Sequence, residues 1–191
     1  MLLVHQTEYF APVSDAKIIG KYRNIPAVKQ INDMACWAHH KWWYKAAMSI
    51  NASQTALWNR YKSRATQQGG MPDADMKSII RENGMHLHEF QTASSFTYDK
   101  VRDLLMCGPI LIAFTEFGSS KRHVNVIYEV SGDSTWADVR AMEPQFRSVS
   151  NGPWTGKHIS RGLTDYNSLG SVWAGVHRGN YTDWVDCFGD L

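Results

Sequence analysis

The stretch Gln30-Ile31-Asn32-Asp33-Met34-Ala35-Cys36-Trp37, running on into Ala38-His39-His40-Lys41-Trp42-Trp43, decides how the rest of the chain is read. An amide side chain stands six residues before a cysteine. From about residue 35 to 50 the chain is rich in Ala, Lys, Met and Trp and free of Gly and Pro. Met34, Ala38, Trp42 and Ala46 recur at i, i+4, which predicts a helix opening at the cysteine. At such a start the helix dipole and the free backbone N–H groups favour thiolate over thiol. The same N–H groups, joined by the amide of Gln30, can donate hydrogen bonds to an oxyanion forming beside Cys36. A lone cysteine is more often a small buried apolar residue. A nucleophile therefore requires a base elsewhere in the chain.

Upstream, residues 1–29 carry few helix signals and read as an extended lead-in, with Pro26 breaking anything longer. Downstream, Ser53 predicts an N-cap for a second helix through Gln67, with Leu57, Tyr61 and Ala65 on one stripe and Gly69-Gly70 as the stop. Asp73 or Asp75 can cap a third helix through Asn83, carrying Met76, Ile79 and Ile80 inward, with Gly84 at the C′ position. His86 and His88 alternate with Leu87 in a short strand or extended link. A fourth helix, about 97–106, ends at Gly108-Pro109.

There the period changes. Residues 109–115 are a nearly continuous apolar run, fit for a strand buried on both faces. Strands at 123–130 and 136–142 follow, the latter closed by Glu143-Pro144, and the three form an antiparallel meander. Residues 151–170 read as a long loop and 172–177 as a further strand. Helices first and strands second predict an α+β arrangement: one domain over 1–191, with a lead-in at 1–29, a helical half at 30–108 and a sheet half at 109–191. The cleft would lie between the halves.

Composition excludes several functions. The 191 residues suit one domain with a sizeable core. A net charge of +2 with no run of Lys or Arg gives no nucleic-acid footprint. No apolar run approaches the ~20 residues of a membrane span. Met1-Leu2-Leu3-Val4 passes at once into His5, Gln6 and Glu8, so it is no signal peptide, and the chain carries no visible export address. Cys36, Cys107 and Cys187 lack metal-ligand spacing and allow at most one bridge. His86-x-His88 has no third ligand nearby, so no metal is expected. Of the eight tryptophans, Trp37, Trp42 and Trp154 are candidates for walls of a groove.

Eight histidines are candidates for the base. His123 is the best placed: it opens a strand just after a Gly-Ser-Ser loop, where a side chain can face a cleft while the next residues anchor it. The plainer alternative is a surface histidine beside Lys121 and Arg122. His39 and His40 share the Cys36 helix and would not sit across a cleft from it, while His5, His158 and His177 have no comparable context. Glu143 is the orienting acid, since it ends the strand next to the one that His123 begins. Asp133 and Asp138 are the fallbacks, and Asn125 shares the strand face of His123. The residues alone lead to a cysteine nucleophile acting on an acyl or amide carbonyl.

Taken in order, Gln30, the step to Cys36-Trp37, Gly108-Pro109-Ile110 opening an apolar strand, His123 opening the next and Glu143-Pro144 closing a third resemble the papain-like cysteine proteases. The compact bacterial forms are the most similar: bacteriocin-leader-processing peptidases and effector or toxin proteases delivered into other cells. The resemblance covers residues 25–145. The family usually has Asn or Asp where this chain has Glu143.

The resemblance implies a fold with the nucleophile helix packed on an antiparallel sheet. It also implies an endopeptidase in which Cys36 attacks, His123 protonates the leaving amine, and Gln30 and the Cys36 N–H hold the oxyanion, without a cofactor. It implies a protein substrate, a cognate inhibitor or immunity protein, and a chain cytoplasmic in its producer and delivered into a target cell. Glutamine deamidation or cell-wall amide hydrolysis by the same dyad, and a non-catalytic peptide-binding module, stay open.

Overall fold

The computed structural model describes residues 22–32, 34–39, 53–116, 118, 122–145, 152–153, 155–167 and 170–177. Within them the Cys36 segment is one 3₁₀ turn, Cys36–His39; the predicted continuation to residue 50 lies outside the described residues. Helix α1 (Gln54–Tyr61) starts at Ser53, whose Oγ accepts the Ala56 N–H at 3.0 Å. It is shorter than the predicted helix through Gln67: a 3₁₀ turn, Lys62–Arg64, follows with no buried residue to hold it on the core. Helix α2 (Asp73–Glu82) turns Met76, Ile79 and Ile80 inward. Its cap is Pro72, neither of the predicted aspartates. Asp73 and Asp75 occupy the first turn, where their charge meets the helix dipole, and the Asp73 carboxylate pairs with Arg122 at 2.6 Å. Gly84, at φ 73°, supplies the left-handed residue that ends α2.

Strand β1 (Met85–Phe90) contains His86 and His88, and helix α3 (Tyr98–Met106), predicted over about 97–106, is capped by Thr97. Strands β2 (Ile110–Thr115), β3 (Arg122–Gly132) and β4 (Ala137–Glu143) form the expected antiparallel meander. The stretch read as a long loop contains strand β5 (Lys157–Gly162) and a short helix α4 (Thr164–Asn167), before β6 (Val172–His177). Polar residues Lys157, His158, Ser160 and Arg161 hide β5 from any hydrophobic pattern. One fully antiparallel sheet results, in the order β1-β6-β2-β3-β4-β5.

The predicted division into helical and sheet halves is crossed twice. β1 comes from the helical stretch yet forms a sheet edge, and α4 comes from the sheet stretch. Helices cover both faces. Leu111 and Ala113 point into a core shared with Trp37, Leu57, Met76 and Ile80, while Ile110, Ile112 and Phe114 point into a second core with Leu104, Leu105 and Tyr166. Successive side chains of a strand face opposite ways, so an unbroken apolar run is what a strand buried on both sides requires.

Candidate active site

His123 is the second residue of β3, opposite Phe114, and Glu143 is the last of β4. Val126 registers with Met142, so the two strands carry His123 and Glu143 to the same end and the same face of the sheet. There His123 Nε2 donates to Glu143 Oε1 at 2.8 Å, with His123 5% and Glu143 4% exposed. Interaction with the Cys36 side chain is among the causes that raise the pKa of the same imidazole. With Nε2 committed to Glu143, Nδ1 is the nitrogen left for the thiol. Burial by itself would lower the His123 pKa, but the interactions with Cys36 and Glu143 outweigh it and raise it to about 10. Burial works to raise Glu143; the His123 hydrogen bond and charge, the Gln145 N–H and the Arg161 charge hold it below its ordinary value.

Both carboxylate oxygens of Glu143 are engaged. Oε1 also accepts the Gln145 N–H at 2.7 Å, and Oε2 accepts from Arg161 Nη2 at 3.0 Å. Arg161 reaches Glu116 through Nη1 at 3.3 Å, and its guanidinium lies 5.9 Å from the Phe114 ring, which meets His123 edge-on. One ligand atom each from Glu116, His123 and Glu143 lie within 4.8 Å of one another, a spacing that fits a metal ion. Arg161 already pairs with the two carboxylates of that group. Beneath them Asn125 is oriented so that Nδ2 donates to Glu143 Oε2 at 3.1 Å and Oδ1 accepts from the Tyr166 hydroxyl at 3.1 Å. Burial pushes the Tyr166 phenol up, so it keeps its proton and remains a donor.

The other wall is built by the Cys36 segment. Asn32 Oδ1 accepts the Met34 N–H at 3.0 Å, and Asn32 O accepts the Ala35 N–H at 3.3 Å, turning the chain just before the cysteine. Trp37 is buried, donates from Nε1 to Gly69 O at 2.9 Å and stacks on Trp58. Between the walls lies a cleft of about 510 Å³, lined by Cys36, Trp37, Met71, Met76, His123 and Trp173 among others. Gln30 is 2% exposed, and neither atom of its amide has a hydrogen-bond partner among the described residues. Cys36 is the free thiol among the described cysteines, and Cys107 is disulfide-bonded.

Thus His123 and Glu143 are joined by a hydrogen bond and Cys36 lines the same cleft as His123, while Gln30 is bonded to none of them. Asp133 closes the β3–β4 turn by accepting the Thr135 and Trp136 N–H groups, and Asp138 pairs with Ser131 far along β4. Trp42, Trp154, His5 and His40 lie outside the described residues, as does the side chain of His39. Sequence reasoning passed over Arg161, Tyr166 and Trp173. Arg161 sits in a polar stretch with no strand signal, and nothing local tells Tyr166 or Trp173 from ordinary core aromatics.

The chain matches the family described as papain-like cysteine protease AvrRpt2 over residues 20–170. It belongs to that family. In fold it is similar to the peptidase domain of Streptococcus ComA, a bifunctional ABC transporter involved in a quorum-sensing pathway. The TM-score is 0.53 at 16% identity, covering 81% of this chain and 99% of that one. No curated protein matches the chain. As a papain-like cysteine protease of α+β fold, the chain is a cysteine peptidase and acts on protein. Among the described residues no helix is long and apolar enough to cross a membrane.

Proposed function

We propose that Cys36, His123, Glu143 and Gln30 carry an endopeptidase reaction. The Cys36 thiolate attacks the scissile carbonyl carbon, and the carbonyl π electrons move to oxygen. Gln30 Nε2 and the Cys36 N–H donate to that oxyanion. As the tetrahedral species collapses, the C–N bond breaks and the His123 Nδ1 proton passes to the leaving amine. Water then attacks the thioester while His123 takes its proton, releasing the acid and restoring the thiolate. Glu143 keeps the ring oriented and stabilises its cationic form.

The observation that carries this reading is the buried His123–Glu143 pair at 2.8 Å, with Cys36 and His123 lining one cleft. The deciding experiment compares new N-termini in proteomes treated with wild-type and Cys36→Ala protein. Cysteine-dependent new termini are expected. Intact proteins with glutamine converted to glutamate would assign deamidation instead, and equal cleavage by both proteins would remove Cys36 from the chemistry. We also place the chain as the catalytic module of a delivered bacterial effector or toxin, held inactive in its producer by a cognate inhibitor. The family to which it belongs supports that reading.

A further inference from the structure

Residues 22–32, which lead into the Cys36 segment, cross the face of the sheet opposite to the one that holds Glu143, and four separate contacts seat them there. Arg23 forks onto Glu129, with Nη2 2.7 Å from each carboxylate oxygen. The Tyr22 ring lies 6.4 Å from that of Tyr128. His158 Nε2 donates to Ile25 O at 2.9 Å, while its Nδ1 accepts the Tyr128 hydroxyl at 3.1 Å. Gly156 packs against the backbone itself: a Cβ there would sit 2.4 Å from Val28 O and 3.0 Å from Lys29 N.

These contacts depend on two irregularities of the sheet. The β3–β4 register shifts between Ile127 and Glu129, leaving Tyr128 as an extra residue. A bulge of this kind re-aims side chains, and here the adjacent Tyr128 and Glu129 both serve the same segment. On β5, His158 registers with Met142, whose side chain lies in the core with Tyr22 and Trp37, whereas Arg161 reaches Glu143 on the other face. The segment so held ends at Gln30, the buried amide with two polar atoms unpartnered among the described residues.

We propose that His158 and Gly156 are positioning residues for the oxyanion side of the site, holding residues 22–32, and with them Gln30, against the sheet. The inference rests on the role given to Gln30 above. A hydrogen-bond donor serves an oxyanion only where that oxygen will form, so a shift of a few tenths of an ångström in Val28 reaches Gln30 two residues later as lost stabilisation. Cys36 lies on its own 3₁₀ turn and His123 five residues before Tyr128 on β3, outside the four contacts, so the thiol–imidazole pair is expected to persist.

That separation makes the test. Alkylation of Cys36 by iodoacetamide uses the thiolate but no oxyanion, whereas hydrolysis of labelled casein uses both. Gly156→Ala and His158→Phe are each expected to lower casein hydrolysis by about 10-fold to 100-fold, a loss in kcat rather than KM, with alkylation within twofold of wild type. Gln30→Ala should show the same split, and Gly156→Ala should add nothing further to it, as expected for residues acting through one group. Parallel loss of hydrolysis and alkylation, or full hydrolysis in both variants, would overturn the proposal. Full hydrolysis by Gln30→Ala would instead remove the oxyanion role of Gln30 itself.

Discussion

Glu143 and Gln30 are buried almost equally, at 4% and 2% exposure, and their hydrogen bonding is opposite. Glu143 has both oxygens occupied, by His123, the Gln145 N–H, Arg161 and Asn125. Among the described residues Gln30 has neither amide atom occupied. A saturated buried group is locked in one geometry before any substrate arrives, which suits an acid whose task is to aim an imidazole. An unpartnered buried amide costs the resting protein about 1–3 kcal/mol. Such a cost is consistent with a group whose partner exists only during reaction, since catalysis draws on interactions stronger in the transition state than in the ground state.

The largest effect that can break this contrast comes from Glu143→Gln. Replacing the carboxylate with a neutral amide should lower kcat/KM by roughly 10³-fold to 10⁴-fold. It should also move the alkaline limb of the pH–rate profile to lower pH, because the imidazolium loses its counter-charge, and thermal unfolding should come earlier. Activity within tenfold of wild type would mean that the ring is oriented by something other than Glu143.

Gln30→Met should separate activity from stability in the way that Glu143→Gln does not. Hydrolysis is expected to fall about 10²-fold, with a Tm equal to or above that of wild type because an unpartnered amide leaves the interior. A lower Tm with activity retained would make Gln30 a structural residue. Arg161→Met sharpens the Glu143 side: Oε2 and Glu116 lose their cation, and urea unfolding should register a loss of about 1–3 kcal/mol alongside a smaller fall in kcat.

The smallest effect is the pH dependence of stability. His123 binds its proton more tightly folded than unfolded, so its contribution is complete below its ordinary value of 6.5 and is lost as pH rises toward about 10. Glu143 is held the other way, so its contribution is complete above 4.5 and is lost as pH falls below that. Urea midpoints should therefore be highest between those two values and decline on both sides. In Glu143→Gln the alkaline decline should shrink, since the imidazolium has lost one of the bonds that raised it.

Period and punctuation made much of the fold legible. The apolar run at 110–114 declared a strand buried on both faces because its odd and even residues enter two different cores. Ser53 announced a helix start because a hydroxyl cap is a local bond, made within three residues of itself. The aspartates before Met76 are not caps because the cap position falls at Pro72, which leaves both of them inside the first turn of the helix. β5 was invisible because an edge strand with His158 and Arg161 serving polar partners on its two faces needs no apolar alternation. The positions of Cys36, His123 and Glu143 were legible for a related reason: a strand's ends can be located from its turns, and a side chain at such an end can face a cleft.

By itself, then, the sequence determined an α+β chain with a papain-like order of Gln, Cys, His and acid, because period, caps and residue order are one-dimensional properties. Only the tertiary structure decided that Arg161 and Asn125 secure Glu143 and that His158 and Gly156 hold the segment carrying Gln30. It alone left the Gln30 amide without a partner among the described residues. Those are contacts between strands and segments whose residues lie from 18 to 133 positions apart. Their energies depend on burial and distance, which no local pattern encodes.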